Sequence, residues 1–272
     1  MNKGLNFFDV LCINSDSGNV DIIQSLLGVD CLGTYFENNI ANLYFEGGKK
    51  NNINILLNNI DQSIKIEFYW IKQSKENWHL AWQDNFKPVI IENKLAIIPN
   101  WEEDRPEKIN IKIKPGMAFG TGHHETTWLV INQLLKYFQK DMSVLDLGAG
   151  SGILSISAKK LGAKKIDAVE FDIDCKKNFL ENIQLNNITN DIFYYMEDVL
   201  NWTNFDYDLI LANINRPILE KLIYKFSASK SLKIISGLLN SDFPLIESKC
   251  IYHGLDILEV SKKGEWMCLV LK

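Results

Sequence analysis

A chain of 272 residues allows one large or two modest domains, and its 46% hydrophobic and 23% charged composition suits a globular protein with a sizeable core. The net charge of −5 lacks the basic footprint of a nucleic-acid binder, and no apolar run approaches the ~20 residues of a membrane span, so neither partner is expected. Five scattered cysteines form no C-x-x-C pair and residues 1–6 carry no secretory pattern, so a reducing, cytoplasmic location without a zinc site is expected.

Residues 6–14 read as a strand. Residues 17–27 place Val20, Ile23, Leu26 and Leu27 on one helical face, with Ser17 as the N-cap candidate and Gly28 as the stop. Residues 31–36 and 41–45 flank Glu37-Asn38-Asn39, a hairpin signal. A second helix over 50–59 and an alternating strand over 63–71 complete a β-α-β-β-α-β order. That order is the ferredoxin-like α+β unit, expected over residues 1–72. Nothing in it bears chemistry, so its expected work is substrate recognition.

Residues 75–86 carry Trp78, Leu80 and Trp82 among polar neighbours, which predicts a helix whose aromatic stripe packs between domains. Residues 87–99 and 109–113 read as short strands around a charged stretch containing Pro106. Residues 73–108 are therefore expected to be an interdomain linker, and 109–272 the second domain.

The run Phe119-Gly120-Thr121-Gly122-His123-His124-Glu125-Thr126-Thr127 precedes an apolar helix predicted over 128–138. Its glycines and hydroxyls can fold over a ligand, and Thr126 or Thr127 can cap the helix. His123-His124 has neither H-E-x-x-H spacing nor a nearby cysteine, so no metal is expected.

Val144-Leu145-Asp146-Leu147-Gly148-Ala149-Gly150-Ser151-Gly152 is a strand ending in a glycine-rich turn, with a helix predicted over 153–161. Such a loop lets a ligand approach bare backbone at the carboxyl end of a strand. The next strand, over 166–169, ends in Glu170, whose carboxylate can accept two ribose hydroxyls. The dinucleotide fingerprint G-x-G-x-x-G fails because Ile153 stands at its third glycine. Without it the pyrophosphate at a helix N-terminus loses its site. Asp146, leading the glycines, suits an ammonium better than a phosphate. S-adenosylmethionine (SAM), with an amino acid end, a ribose and an adenine but no phosphate, fits both carboxylates. A NAD-binding dehydrogenase is the disfavoured rival, and an ordinary tight turn is the plain alternative.

Further strands over 192–195, 209–212 and 232–235, then a pair over 255–260 and 266–271 around Lys262-Lys263-Gly264, predict a doubly wound α/β domain closed by an antiparallel hairpin. This resembles the seven-stranded, Rossmann-like methyltransferase fold. Asp198 reads as a partner for an adenine amino group or as a solvated turn residue. Asn213 ends a core strand, where its side-chain oxygen can accept a hydrogen bond from an amine and aim the lone pair. In an in-line displacement such positioning is a large part of catalysis. The Ile214 carbonyl is a second candidate acceptor, and Pro217 is expected at the first position of the next helix.

Together the runs over 117–127, 146–152 and 169–174, with Ala212-Asn213-Ile214, resemble the ribosomal protein L-eleven methyltransferase family. Asn77-Trp78-His79-Leu80-Ala81-Trp82 with Phe86-Lys87-Pro88 resembles that family's interdomain linker. The likeness covers nearly the whole chain and is weakest before Trp78. The glycine motif is common to many methyltransferases; the run over 119–127 is far more specific. The resemblance implies Thr127, Gly148, Glu170 and Asn213 as cofactor contacts, beside Asp146, Gly150 and Asp198. It also implies SAM-dependent methylation of lysine ε-amines and the N-terminal α-amine of ribosomal protein L-eleven. A monomer is the favoured state. Many members carry Asp where this chain has Glu170, and the spacing from Asn213 to Pro217 is unlike that of some relatives. Methylation of another protein or of a small-molecule amine or amide is the alternative, and a non-catalytic SAM-binding module a third.

Overall fold

The computed structural model describes residues 7–14, 31, 33–37, 40–58, 67–74, 87–114, 120 and 122–272. The chain divides into two compact units, Met1–Phe86 and Lys87–Lys272.

The first unit contains β1 (Phe7–Asn14), β2 (Gly33–Glu37), β3 (Ile40–Glu46), α1 (Lys50–Asn58) and β4 (Glu67–Ser74). Its sheet has the order β2-β3-β1-β4, and every neighbouring pair is antiparallel. Alternation along β1 sends Leu11 and Ile13 into one cluster with Phe45, Ile53 and Leu57. The same alternation sends Phe8, Val10 and Cys12 to the other face. β4 runs on to Ser74, past its expected end at Ile71. The extension is Lys72, Gln73 and Ser74 pairing with Asp9, Phe8 and Phe7 of β1, so cross-strand bonding carries the strand where hydrophobic alternation gives out. The helices expected over 17–27 and 75–86 lie outside the described residues.

The second unit opens with β5 (Val89–Ile91), β6 (Leu95–Pro99) and β7 (Ile109–Ile113), a three-stranded sheet in that order. Ile91, Leu95, Ile97, Ile111 and Ile113 share one buried cluster with Leu129 and Ile131 of α2 (Glu125–Tyr137) and with Ile153 and Ile156 of α3 (Ile153–Leu161). Residues 87–108, expected in the linker, therefore lie within the second compact unit, which starts at Lys87 and not at Ile109. The charged stretch that suggested a boundary is a surface connection. Asn110 closes it by accepting from Arg105 N at 2.8 Å.

The main sheet comprises β8 (Ser143–Leu147), β9 (Lys165–Glu170), β10 (Ile192–Met196), β11 (Leu209–Asn213), β12 (Leu232–Leu239), β13 (Ile257–Lys263) and β14 (Trp266–Leu271). Between them run α4 (Ile173–Leu185), α5 (Arg216–Phe226) and α6 (Phe243–Tyr252). Its order is β10-β9-β8-β11-β12-β14-β13, with β8 to β12 parallel and the last hairpin antiparallel. Val144, Leu209 and Leu211 enter the cluster on one face, and Leu145, Leu147, Ile210 and Ala212 the cluster on the other. Burial on both faces is why these strands read as near-continuous apolar runs. The winding goes outward from β8 to β9 and β10, then returns to β11 on β8's other side. That reversal is a topological switch point, and ligands of open α/β sheets bind outside the carboxyl ends of the strands there.

Candidate active site

Gly148, Gly150 and Gly152 follow β8 with φ of 74°, 51° and 82°, all left-handed. A Cβ on Gly148 would stand 2.2 Å from Ile214 Cγ2, and one on Gly152 would stand 2.8 Å from the Phe179 ring, so neither place admits a side chain. The loop thus presents bare backbone at the switch point.

Asp146, on β8 just before the loop, is fully buried. Its Oδ2 accepts from Ser155 Oγ of α3 at 2.6 Å. Its Oδ1 has no hydrogen-bond partner among the described residues. Burial pushes this carboxyl up to about 6, against the pull of Ser155 and with a smaller push from the Glu170 carboxylate. A buried carboxylate oxygen with no partner is costly, and an incoming cation or donor would relieve it.

Glu170 ends β9 and is nearly buried. Its Oε2 accepts from Gly150 N at 3.0 Å, and its Oε1 accepts from Asp172 N at 2.9 Å. The carboxylate therefore ties the glycine loop to the turn into α4. Each oxygen keeps a further lone pair for a hydroxyl donor.

Thr127 is buried in the first turn of α2, and Asn213 Nδ2 donates to its Oγ1 at 3.5 Å. That places Thr127 beside the carboxyl end of β11 and leaves the Asn213 oxygen as the amide's acceptor. The loop before α2 sits on the glycine loop, since Ser151 Oγ donates to Gly120 O at 2.6 Å. The rest of the run over 115–119, with residue 121, lies outside the described residues. The structure thus gathers Thr127, Asp146, Gly148, Gly150, Glu170 and Asn213 at the ends of three adjacent strands. Asp198 stands apart, exposed beyond β10, with its Oδ1 accepting from Leu200 N at 2.8 Å in an Asx turn.

Two local expectations change. Helix α2 starts at Glu125 and its cap is His124, whose Nδ1 accepts from Thr126 N at 3.3 Å. Neither Thr126 nor Thr127 caps it, because both are packed inside the first turn. Pro217 takes the second helical position of α5, since Asn215 is the cap and accepts from Ile218 N at 3.3 Å. The Ile214 carbonyl lies against the bare Cα of Gly237, where a Cβ would come within 2.1 Å of its oxygen.

The family model described as Ribosomal protein L11 methyltransferase (PrmA) matches residues 22–272. The chain belongs to this family. A ribosomal protein L11 methyltransferase of Alkaliphilus oremlandii is 35% identical over 207 residues, which is 74% of this chain and 66% of the relative. One of Clostridium perfringens is 37% identical over 206 residues, with the same two coverages. The matched stretch thus spans just under two thirds of these relatives' length. The crystal structure of a ribosomal protein L11 methylase from Lactobacillus delbrueckii subsp. bulgaricus superposes with a TM-score of 0.64 at 32% identity, covering 68% of this chain and 97% of that one.

In this member of the L11 methyltransferase family, several residues that shape the site escaped the sequence reading. Ser155 holds Asp146. Asn182 donates to Ser151 O at 2.9 Å and accepts from Lys114 N at 2.8 Å, bracing the loop from α4. Gly237 had a readable signal, since an isolated glycine inside a strand pattern marks a bulge or a close backbone approach. Asn182 had none, because its partners come from distant parts of the chain.

Proposed function

We propose that this chain is a SAM-dependent methyltransferase that methylates lysine ε-amino and N-terminal α-amino groups of ribosomal protein L11. The observation that carries the reading is the pair of carboxylates at the glycine loop, one of them with a buried oxygen that has no partner among the described residues. The names of the relatives support it. SAM fits these residues: its ammonium would give Asp146 Oδ1 the partner it lacks, and its ribose hydroxyls would use the open lone pairs of Glu170. Gly148 and Gly150 would receive it along bare backbone, Thr127 from α2, and Asp198 at the adenine amino group. Asp146 leading the loop and Ile153 at the place of the third fingerprint glycine leave no site for a pyrophosphate, which disfavours NAD.

When bound, SAM supplies a methyl group made strongly electrophilic by its sulfonium. The protein's part is to present the amine. A lysine amine has a pKa of ~10.4 and must lose its proton to become a nucleophile. Desolvation in the crevice favours the neutral form, and the proton leaves to solvent. Asn213 Oδ1 then accepts one N–H and holds the nitrogen lone pair in line. A test is incubation with labelled SAM and isolated L11; label on L11 is expected, and unlabelled L11, or label on other amines in its place, would overturn the reading.

Cofactor affinity should depend on pH. Asp146 titrates at about 6 in the free protein, and an ammonium prefers the ionised carboxylate. SAM affinity should be full above about pH 6 and fall roughly tenfold per pH unit below it. The sign for the free fold is opposite: this carboxyl lies above its ordinary 3.8, so its contribution to stability grows as pH falls from about 6 toward 3.8. Glu170 is the other charged group acting on Asp146. Calorimetry between pH 5 and 8 checks this, and a flat profile would remove Asp146 from the ammonium role.

The antiparallel order β2-β3-β1-β4 supports a ferredoxin-like first unit, which we read as the L11 recognition domain of a cytoplasmic monomer that does not contact nucleic acid directly. A chain starting at Lys87 should bind SAM within about twofold of the parent and lose most methylation of intact L11. Full activity on L11 without residues 1–86 would refute the recognition role.

A further inference from the structure

We infer that Ile214 is a positioning residue: wedged between Gly148 and the Gly237 bulge, it fixes the depth at which Asn213 stands in the crevice. This rests on the function proposed above. β11 pairs with β12 up to Asn213 and Ser236, and Ile214 N adds one more bond to Ser236 O at 3.2 Å. β12 then changes its register with β14 between Ser236 and Leu238, so Gly237 is a bulge, with φ 91°. Its bare Cα lies against the Ile214 peptide: a Cβ there would come within 2.1 Å of the oxygen, 2.7 Å of the carbonyl carbon and 3.1 Å of the nitrogen. On the opposite side, Ile214 Cγ2 occupies the place a Cβ on Gly148 would need, at 2.2 Å.

Gly148 follows β8 and Gly237 lies in β12, the two strands that flank β11. Ile214 therefore bridges the cofactor loop and the bulge across the end of the strand that carries Asn213. A residue that only connected β11 to α5 would need neither glycine, and α5 already has its own cap in Asn215. The Asn213 side chain has a long 3.5 Å bond to Thr127 as its tether, too weak to set its depth. Bulges beside active sites commonly re-aim a side chain. In an in-line displacement a misplacement of about 1 Å can cost roughly a hundredfold.

The test compares Ile214→Ala with Ile214→Val. Valine keeps the branched methyl that abuts Gly148, and alanine removes it. Ile214→Ala should lower kcat on L11 by at least about tenfold, leave the SAM Kd within about threefold, and shift the Asn213 side-chain amide resonances. Ile214→Val should stay near the parent in all three. Equal kcat in the alanine variant and the parent overturns the inference. So does an equal loss in both variants, or a loss accounted for wholly by SAM affinity. If Ile214→Ala does not fold, Gly237→Ala pushes the same peptide from the other side, and unmoved Asn213 resonances there overturn the inference. If the parent does not methylate L11, the proposed function fails, while the resonance comparison still decides the positioning role.

Discussion

Asn213→Ala is expected to lower kcat roughly a hundredfold while the melting temperature barely moves. The two effects separate because of where the residue sits. It is the last residue of β11, half-buried, and its backbone stays in the ladder with Ser236 whatever its side chain. Among the described residues its side chain contributes one long bond, to Thr127 Oγ1 at 3.5 Å, so its loss should cost the fold less than about 1 kcal/mol. In the proposed mechanism its amide oxygen is the acceptor that holds the amine. Removing it leaves the amine to choose its own orientation, and that cost falls on turnover. Single-turnover methylation and thermal unfolding on one preparation distinguish the cases. A variant that melts earlier yet keeps full activity per folded molecule would show that Asn213 only shapes the turn before α5.

Much of this site is readable without coordinates because its chemistry is local. Asp146, the three glycines and Glu170 lie within one strand–loop–helix–strand unit. There the apolar strand, the left-handed turn and the helical period are each set by neighbours in sequence. The helix predicted over 153–161 is α3, Ile153–Leu161. What is not readable depends on distant partners. The strands before Ile109 look like linker because three and five residues carry no pattern of their own; they acquire a fold by burying Ile91, Leu95 and Ile97 against α2 and α3. Strand β12 continues past its expected end at Ile235 because the bulge at Gly237 absorbs the break that a glycine suggests. The His124 cap replaces the threonines for the same reason, since packing inside the helix claims Thr126 and Thr127 first.

Glu170→Ala should weaken SAM binding by roughly ten- to a hundredfold or more, since hydrogen bonds to a charged group are worth about 1.5–3 kcal/mol each and 1.4 kcal/mol is tenfold. The structure adds a second consequence. The same carboxylate accepts from Gly150 N and Asp172 N, so its removal strands two backbone donors as well. Each costs about 1–3 kcal/mol where water cannot replace the partner. At about 2–4 °C per kcal/mol for a unit of this size, the melting temperature should fall by several degrees. Glu170→Gln separates the roles. An amide keeps one acceptor oxygen and nearly the same shape, so it should retain one of the two backbone bonds and recover part of the stability. It has no negative charge and presents an N–H where an acceptor is needed, so it should recover less of the affinity. Glu170→Asp keeps the charge on a shorter arm and should lose least in binding, provided the loop follows it inward. Calorimetry with SAM and thermal unfolding on the three variants give the ranking. If all three bind SAM as the parent does while their melting temperatures fall, Glu170 braces the loop and has no part in holding the ribose.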